Sequence, residues 1–205
     1  MSAATFAAAQ VLRLLPRTRI TRVMGRLADA RVPQPVASAV VRLYSRAYQV
    51  DLDEAVCPDE GFASFDAFFT RNLRDGQRPL PSDPDVIVSP ADGRIDSFGP
   101  VVVNGHFSVK GRPYRAEHLV GDAAEAARYE GGQFCVVYLS PRDYHRVHAP
   151  IGGKVGVVRS YAGEYFPVNS IGERHVKSLF AINRRVVIPI ETEQHGLVTV
   201  VLVGA

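Results

Sequence analysis

The chain has 205 residues, 46% of them hydrophobic, with two cysteines and a formal net charge of +3. That length supports one substantial core, or a core with a smaller helical attachment. Cys57 and Cys135 are too few and too far apart for a disulfide framework or a zinc knuckle, and their contexts predict one loop thiol and one buried strand thiol.

The small net charge conceals an asymmetry. Residues 1–50 hold eight arginines and one acid, Asp29, for +7, while the other 16 basic and 20 acidic residues give −4. No apolar run reaches about 18 residues, and MSAATFAAAQ lacks the charged start and cleavage site of a secretory signal. An intracellular protein without a spanning helix is expected.

In chain order, Ala8, Val11, Leu12 and Leu15 fall on one helical stripe, and Ile20, Val23, Met24 and Leu27 fall on another after Pro16 and Thr18. Arg19, Arg22 and Arg26 occupy the face opposite the second stripe. Beyond Pro33 and Pro35, the stripe is Val36, Ala39, Val40, Leu43, Tyr44 and Ala47, with Arg42 and Arg46 outside it. Such helices suit a membrane interface, where each basic residue near anionic lipid contributes about 1 kcal/mol, and they equally suit packing on a core. Nucleic acid is disfavoured, because aromatics are not interleaved with the arginines.

FASFDAFFTRNL gives a further helical stripe of Phe62, Phe65, Phe68, Phe69 and Leu73, and RPLPSDPD must be loop. From Val86 the texture turns to strands: VIV, VVVNGHFSV with an Asn104-Gly105 hairpin signal, FCVVYL, KVGVV, RRVVIPI and LVTVVLV. DAAEAARY adds a turn or two of helix. The fold class is α+β, with amphipathic helices followed by a β-rich core of short, mainly antiparallel strands, sandwich or barrel-like.

His106, His118, His175 and His195 sit in ordinary loop or strand contexts. His145 and His148 differ, since they share YLSPRDYHRVHAP with Asp143, Tyr144, Arg142 and Arg146 just after a strand. A metal pair would need a third ligand and an aligning helix that Pro141 and Pro150 leave no room for. A structural turn and acid–base chemistry both stay open; imidazole, with a pKa of about 6.5, exchanges protons at neutral pH. In an extended segment, side chains three apart point to opposite faces, which gives the two histidines separate jobs. A catalytic histidine needs a carboxylate to orient it, and Asp92 in VSPADGRI is the candidate, although Asp-Gly is first of all a turn.

FFTRNLRDGQRPL, VSPADGRI, YLSPRDYHRVHAPIGG, YFPVNS and LFAINRRVV resemble, in order and spacing, the phosphatidylserine decarboxylase proenzymes, from about residue 36 to the last residue. The resemblance implies an enzyme peripheral to the cytoplasmic face of the membrane, converting phosphatidylserine to phosphatidylethanolamine and CO2. Losing CO2 from an α-amino acid leaves electrons on the α-carbon that no ordinary side chain delocalises, so an electron sink must be bonded to the amine. In this family the sink is a pyruvoyl group acting through a Schiff base. It forms when the proenzyme cuts itself before the serine of a Gly-Ser motif.

Carried over residue by residue, Asp92 and His148 match the Asp and His that act with that serine in self-cleavage, and His145 matches the histidine of the decarboxylation step. The resemblance also favours an anionic membrane surface as the partner of Arg19, Arg22, Arg26, Arg42 and Arg46. Two departures stand out. None of the 17 glycines is followed by Ser, Thr or Cys, and Arg184 stands where the family usually has Glu.

The expectation is therefore a β-chain-like part of the enzyme. Residues 1–50 are its membrane-association segment, and residues 51–205 are a decarboxylase-like core truncated at its C-terminus. A separate α-chain-like polypeptide would carry the pyruvoyl serine, no metal is involved, and exposed strand edges imply self-association as a homodimer. The alternative is an inactive membrane-surface or partner-binding remnant of the family.

Overall fold

The computed structural model describes residues 17–168, 172 and 175–204. The stripe Ala8, Val11, Leu12 and Leu15 lies outside the described residues. The helices are α1 (Arg17–Asp29), α2 (Gln34–Tyr48), α3 (Phe65–Phe69), α4 (Ala116–Val120), α5 (Ala123–Ala127) and α6 (Leu179–Ile182). The strands are β1 (Arg94–Pro100), β2 (His106–Val109), β3 (Arg112–Arg115), β4 (Gln133–Tyr138), β5 (Lys154–Val155), β6 (Arg159–Tyr161), β7 (Arg185–Thr192) and β8 (Gly196–Val203). The α+β class holds. The described strands form two two-stranded pairs, β1 with β4 and β2 with β3, and one four-stranded antiparallel sheet, with no closed barrel among them.

The described residues divide into two compact units: those within 17–22, 98–134 and 153–204 form one, and those within 23–97 and 135–152 form the other. The first is built on β7, which pairs along its whole length with β8 and on its other side with β5 and β6. Pro189 shapes that second edge. It has no N–H to offer a facing strand, and its carbonyl accepts from Gly156 N at 2.8 Å. Past that point Val157 and Val158 stand opposite Ile188 alone, a bulge that splits KVGVV and leaves Val157 75% exposed. The predicted single strand is thus two short ones.

Leu179 and Val187 are fully buried in this unit, and so is Asn183. Its side-chain amide donates to the Phe166 and Gly204 carbonyls, both at 2.8 Å, and its Oδ1 accepts from Phe166 N at 3.1 Å. A buried amide is tolerated because its polar atoms are paired. The charge beside this core belongs to Arg185, which donates to the carbonyls of Leu119, Ala181 and His118. Arg184 is exposed, its side chain reaching only the Tyr165 hydroxyl at 3.5 Å. Asn104-Gly105 closes a three-residue turn between Val102 and His106, and the two-residue hairpin falls at Lys110-Gly111, both with positive φ. Cys135 is exposed on β4, not buried, and Cys57 is exposed as well.

The second unit has an aromatic core of Val41, Phe62 and Phe68, flanked by Tyr44, Val50, Leu52 and Phe65. α3 is only five residues long: Ser64 Oγ caps it by accepting from Ala67 N at 3.1 Å, and Thr70 ends it. α2 begins beside Pro33 and Pro35 and ends at Gln49, which adopts the left-handed conformation and returns its N–H to Ser45 O. Its buried face is Ala37 and Val41 with Tyr44, while Val36, Val40 and Leu43 lie exposed. α1 likewise exposes Ile20, Val23, Met24 and Leu27. The run VIV at 86–88 forms no strand, and Val86 and Ile87 are exposed, because prolines at 84, 90 and 150 deny it a ladder.

Candidate functional site

Asp92, His145 and His148 all fall in the second unit, on two loops laced by backbone bonds. Val88 N donates to Pro150 O at 2.8 Å, and His148 N donates to Pro90 O at 2.7 Å. Both acceptors are prolines, which can give carbonyls to a pairing but no N–H, so the lacing stops after these two bonds. Gly93 fixes the Asp92 loop from its other side. Its φ is +140°, and a Cβ there would stand 2.4 Å from the Tyr138 carbonyl oxygen at the end of β4.

The turn after β4 is closed by Asp143, whose carboxylate accepts from Ser140 N at 2.6 Å while Asp143 N donates to Ser140 O at 2.9 Å. Asp143 is thus a structural cap. Residues 144–149 form neither helix nor strand, and the two histidines have different surroundings. His145 is partly buried, its ring centroid 3.9 Å from that of Phe69. Its Nδ1–H donates to Asp143 O at 2.8 Å. A carbonyl can only accept, so the proton sits on Nδ1 and the Nε2 lone pair is free. Burial pushes the His145 pKa below the ordinary imidazole value; the Asp143 carbonyl opposes this and the charge of Arg71 adds to it.

His148 is exposed. Its Nε2 lies 3.0 Å from the hydroxyl of the buried Tyr144, whose ring stacks on the imidazole, and its Nδ1 has no partner among the described residues. No hydrogen bond or ion pair joins it to Asp92. Instead, Asp92 is gripped by Arg78: Nε donates to Oδ1 at 2.9 Å and Nη2 to Oδ2 at 2.6 Å. The same Nη2 reaches Glu54 Oε2 at 2.7 Å. Those hydrogen bonds, first to Asp92 and then to Glu54, drive the Arg78 pKa up. Glu54 is held in register by Arg74 N, which donates to its carbonyl at 2.8 Å, next to the Ala55–Leu73 bridge.

Arg71 completes the site. It is 4% exposed, stacks over Phe68 at 5.5 Å and donates from Nη2 to Arg142 O at 3.2 Å, while Nε and Nη1 are buried without a protein partner. Burial lowers its pKa and the negative charge of Asp92 opposes that shift. Tyr44 from α2 packs on Phe65 and Phe68 and donates its hydroxyl to Pro141 O at 3.2 Å, so the helix and the histidine loop share one aromatic cluster. The arrangement offers a free imidazole nitrogen at His145, an exposed imidazole against a hydroxyl at His148 and a carboxylate gripped by a guanidinium at Asp92. Sequence reasoning missed Arg71, Arg78, Glu54 and Tyr144 as members. All but Glu54 lie in the segments that carry the family resemblance, which was the available signal.

Residues 65–205 match the family model for phosphatidylserine decarboxylase. The chain belongs to the phosphatidylserine decarboxylase family. It is 44% identical over 195 residues to a phosphatidylserine decarboxylase proenzyme of Anaeromyxobacter sp. (strain K), covering 95% of this chain and 68% of that protein. It is 42% identical over 194 residues to the proenzyme of Shewanella baltica (strain OS155 / ATCC BAA-1091), covering 94% of this chain and 66% of the relative. The proenzyme of Myxococcus xanthus (strain DK1622) is 38% identical over 196 residues, covering 96% and 70%. The chain thus spans about two thirds of the length of these phosphatidylserine decarboxylase proenzymes. Asp92, His145 and His148 all lie inside the stretch matched to the family.

Proposed function

We propose that this chain supplies the proton-handling half of a phosphatidylserine decarboxylase site, converting phosphatidylserine to phosphatidylethanolamine and CO2. The observation that carries the reading is the placement of Asp92, His145 and His148 on two laced loops of one unit, with the histidines in different surroundings.

The residues fit a pyruvoyl group. His148 is exposed, its Nε2 faces only the Tyr144 hydroxyl, whose place a serine hydroxyl can take, and the Asp92 loop is tied to its backbone. When bound, that group supplies the carbonyl that captures the substrate amine and draws off the electrons left as CO2 departs. His148 takes the proton of the serine hydroxyl in the self-cleavage that precedes catalysis, and Asp92 orients its ring. His145 first takes a proton from solvent at its free Nε2 and then gives it to the α-carbon, its Nδ1–H staying on the Asp143 carbonyl. Its depressed pKa makes its imidazolium, once formed, a stronger acid. Residues 1–205 contain no Gly-Ser pair, so the serine comes from polypeptide beyond them, in the same chain or in a separate α-chain-like partner.

The exposed stripes of α1 and α2, flanked by Arg19, Arg22, Arg26, Arg42 and Arg46, support peripheral docking on an anionic membrane. Among the described residues no helix is long and apolar enough to cross one. The test is CO2 release from carboxyl-labelled phosphatidylserine in vesicles. Residues 1–205 alone should release none. Co-expression with the Gly-Ser segment of a relative should restore release, His148→Ala should block cleavage of that segment, and His145→Gln should lower turnover about 100-fold after cleavage. Turnover by residues 1–205 alone sinks the pyruvoyl account, and failure of every supplied segment favours an inactive remnant.

A further inference from the structure

Both oxygens of the Asp92 carboxylate are taken by one guanidinium, and the histidine it would serve has turned to another partner. We propose that Arg78, backed by Glu54, is a latch that sets the partner of Asp92: while it is closed His148 rests on Tyr144, and its release lets Asp92 accept the Nδ1–H of His148. This rests on the reading that Asp92 and His148 act together, and it makes Arg78 a positioning residue for self-cleavage.

Three features carry it. First, the bidentate fork satisfies both carboxylate oxygens at 2.9 and 2.6 Å, so the latch fixes direction as well as charge. Second, His148 Nδ1 is without a protein partner, and the Pro90 carbonyl that anchors the His148 backbone lies two residues before Asp92, so the freed carboxylate and the free nitrogen belong to neighbouring loops. Third, the latch can open. The Arg78 side chain is 43% exposed and Asp92 24% exposed, so water reaches the pair and can replace the hydrogen bonds of the fork. Glu54 shares Nη2 at 2.7 Å and gives the guanidinium somewhere to stay when Asp92 leaves. The charged groups facing Asp92 are Arg78 and the buried Arg71, with Glu54 beyond Arg78. Tyr144 is the titratable group against His148.

The test uses residues 1–205 with 13C-labelled histidine, following the His148 titration by NMR, a readout that needs no decarboxylation. Arg78→Gln should raise the His148 pKa by about one unit, the effect of an opposite charge brought within contact range. Asp92→Asn alone should move it by no more than about 0.2, because the latched carboxylate is not serving His148, and the double variant should show no rise. Arg78→Lys, which keeps the charge but loses the fork, should give a smaller rise that Asp92→Asn again removes; it carries the test if Arg78→Gln does not fold. Three results would overturn the latch. One is a rise that persists unchanged with Asn at 92, since removing any cation does that; another is a large fall with Asp92→Asn alone. The third is no rise in either Arg78 variant, with Asp92 captured by Arg71 instead.

Discussion

Leu43 and Val41 stand two residues apart on the same helix, and exchanging each for serine separates folding from membrane docking. Leu43 is 72% exposed and Val41 is 8% exposed, packed against Phe62 and Phe68. Leu43→Ser removes nothing from the interior, so its cost to stability should stay within about 0.5 kcal/mol. If the exposed face enters the lipid interface, the same change forfeits the transfer of one leucine, about 2 kcal/mol, and lowers vesicle partitioning about 30-fold. Val41→Ser should cost about 2–3 kcal/mol through the cavity and the buried hydroxyl, lowering Tm by about 5–10 °C in a chain of this size. The assays are sedimentation with vesicles containing phosphatidylserine and thermal unfolding by circular dichroism. Equal sedimentation of Leu43→Ser and the parent, together with a Tm drop matching that of Val41→Ser, would show that the face packs within the protein and refute the docking argument.

His145 should make stability fall with acid. Its folded pKa is below the unfolded value, so the unfolded chain binds the extra proton; the penalty is absent above about pH 6.5, grows as pH drops below it, and levels off beneath the folded pKa. His145→Gln should flatten that part of a urea-midpoint profile between pH 7 and pH 4, and an unchanged slope would remove His145 as its source. Arg71→Met keeps the packing on Phe68 while removing a buried charge with two unpartnered donors, so it should change stability by less than about 1.5 kcal/mol and raise the His145 pKa. A loss of about 3 kcal/mol or more on urea titration would show that the guanidinium holds the loop. Asn183→Ala withdraws three buried hydrogen bonds and should cost about 3 kcal/mol or more, visible as a Tm drop of about 6–12 °C; a neutral result would mean its partners re-pair.

Much of the fold was legible because the strands β4, β7 and β8 are short runs rich in valine, isoleucine, threonine or aromatics, bounded by turn residues. The sequence misled wherever a proline acted at a distance. In KVGVV, Gly156 alone hints at a bulge, and the proline that faces it, Pro189, lies across the sheet. VIV has strand composition, yet its potential partner segment ends in Pro150 and cannot donate. In α2 the wheel carries two apolar arcs, one with Val36, Val40 and Leu43 and one with Ala37, Val41 and Tyr44. Periodicity selects the more hydrophobic arc, but the arc that meets the phenylalanines is the one with Val41 and Tyr44, whose ring packs on Phe65 and Phe68.

The site shows the same division between residue type and residue partner. Asp92, His145 and His148 could be named because their motifs are contiguous, and the structure gives the two histidines different surroundings. The partners could not be named. Arg78 meets Asp92 across 14 residues and Glu54 across 24, and a string that contains all three gives no reason to prefer an arginine over the histidine as the companion of the aspartate. That preference is physical: a fork with two parallel donors satisfies both carboxylate oxygens, whereas a neutral imidazole offers one donor and no charge. An aspartate between the two takes the arginine until something raises the value of the imidazole. In the proposed self-cleavage, proton transfer from a serine would do so, because it would turn His148 into a cation at the moment the carboxylate is needed.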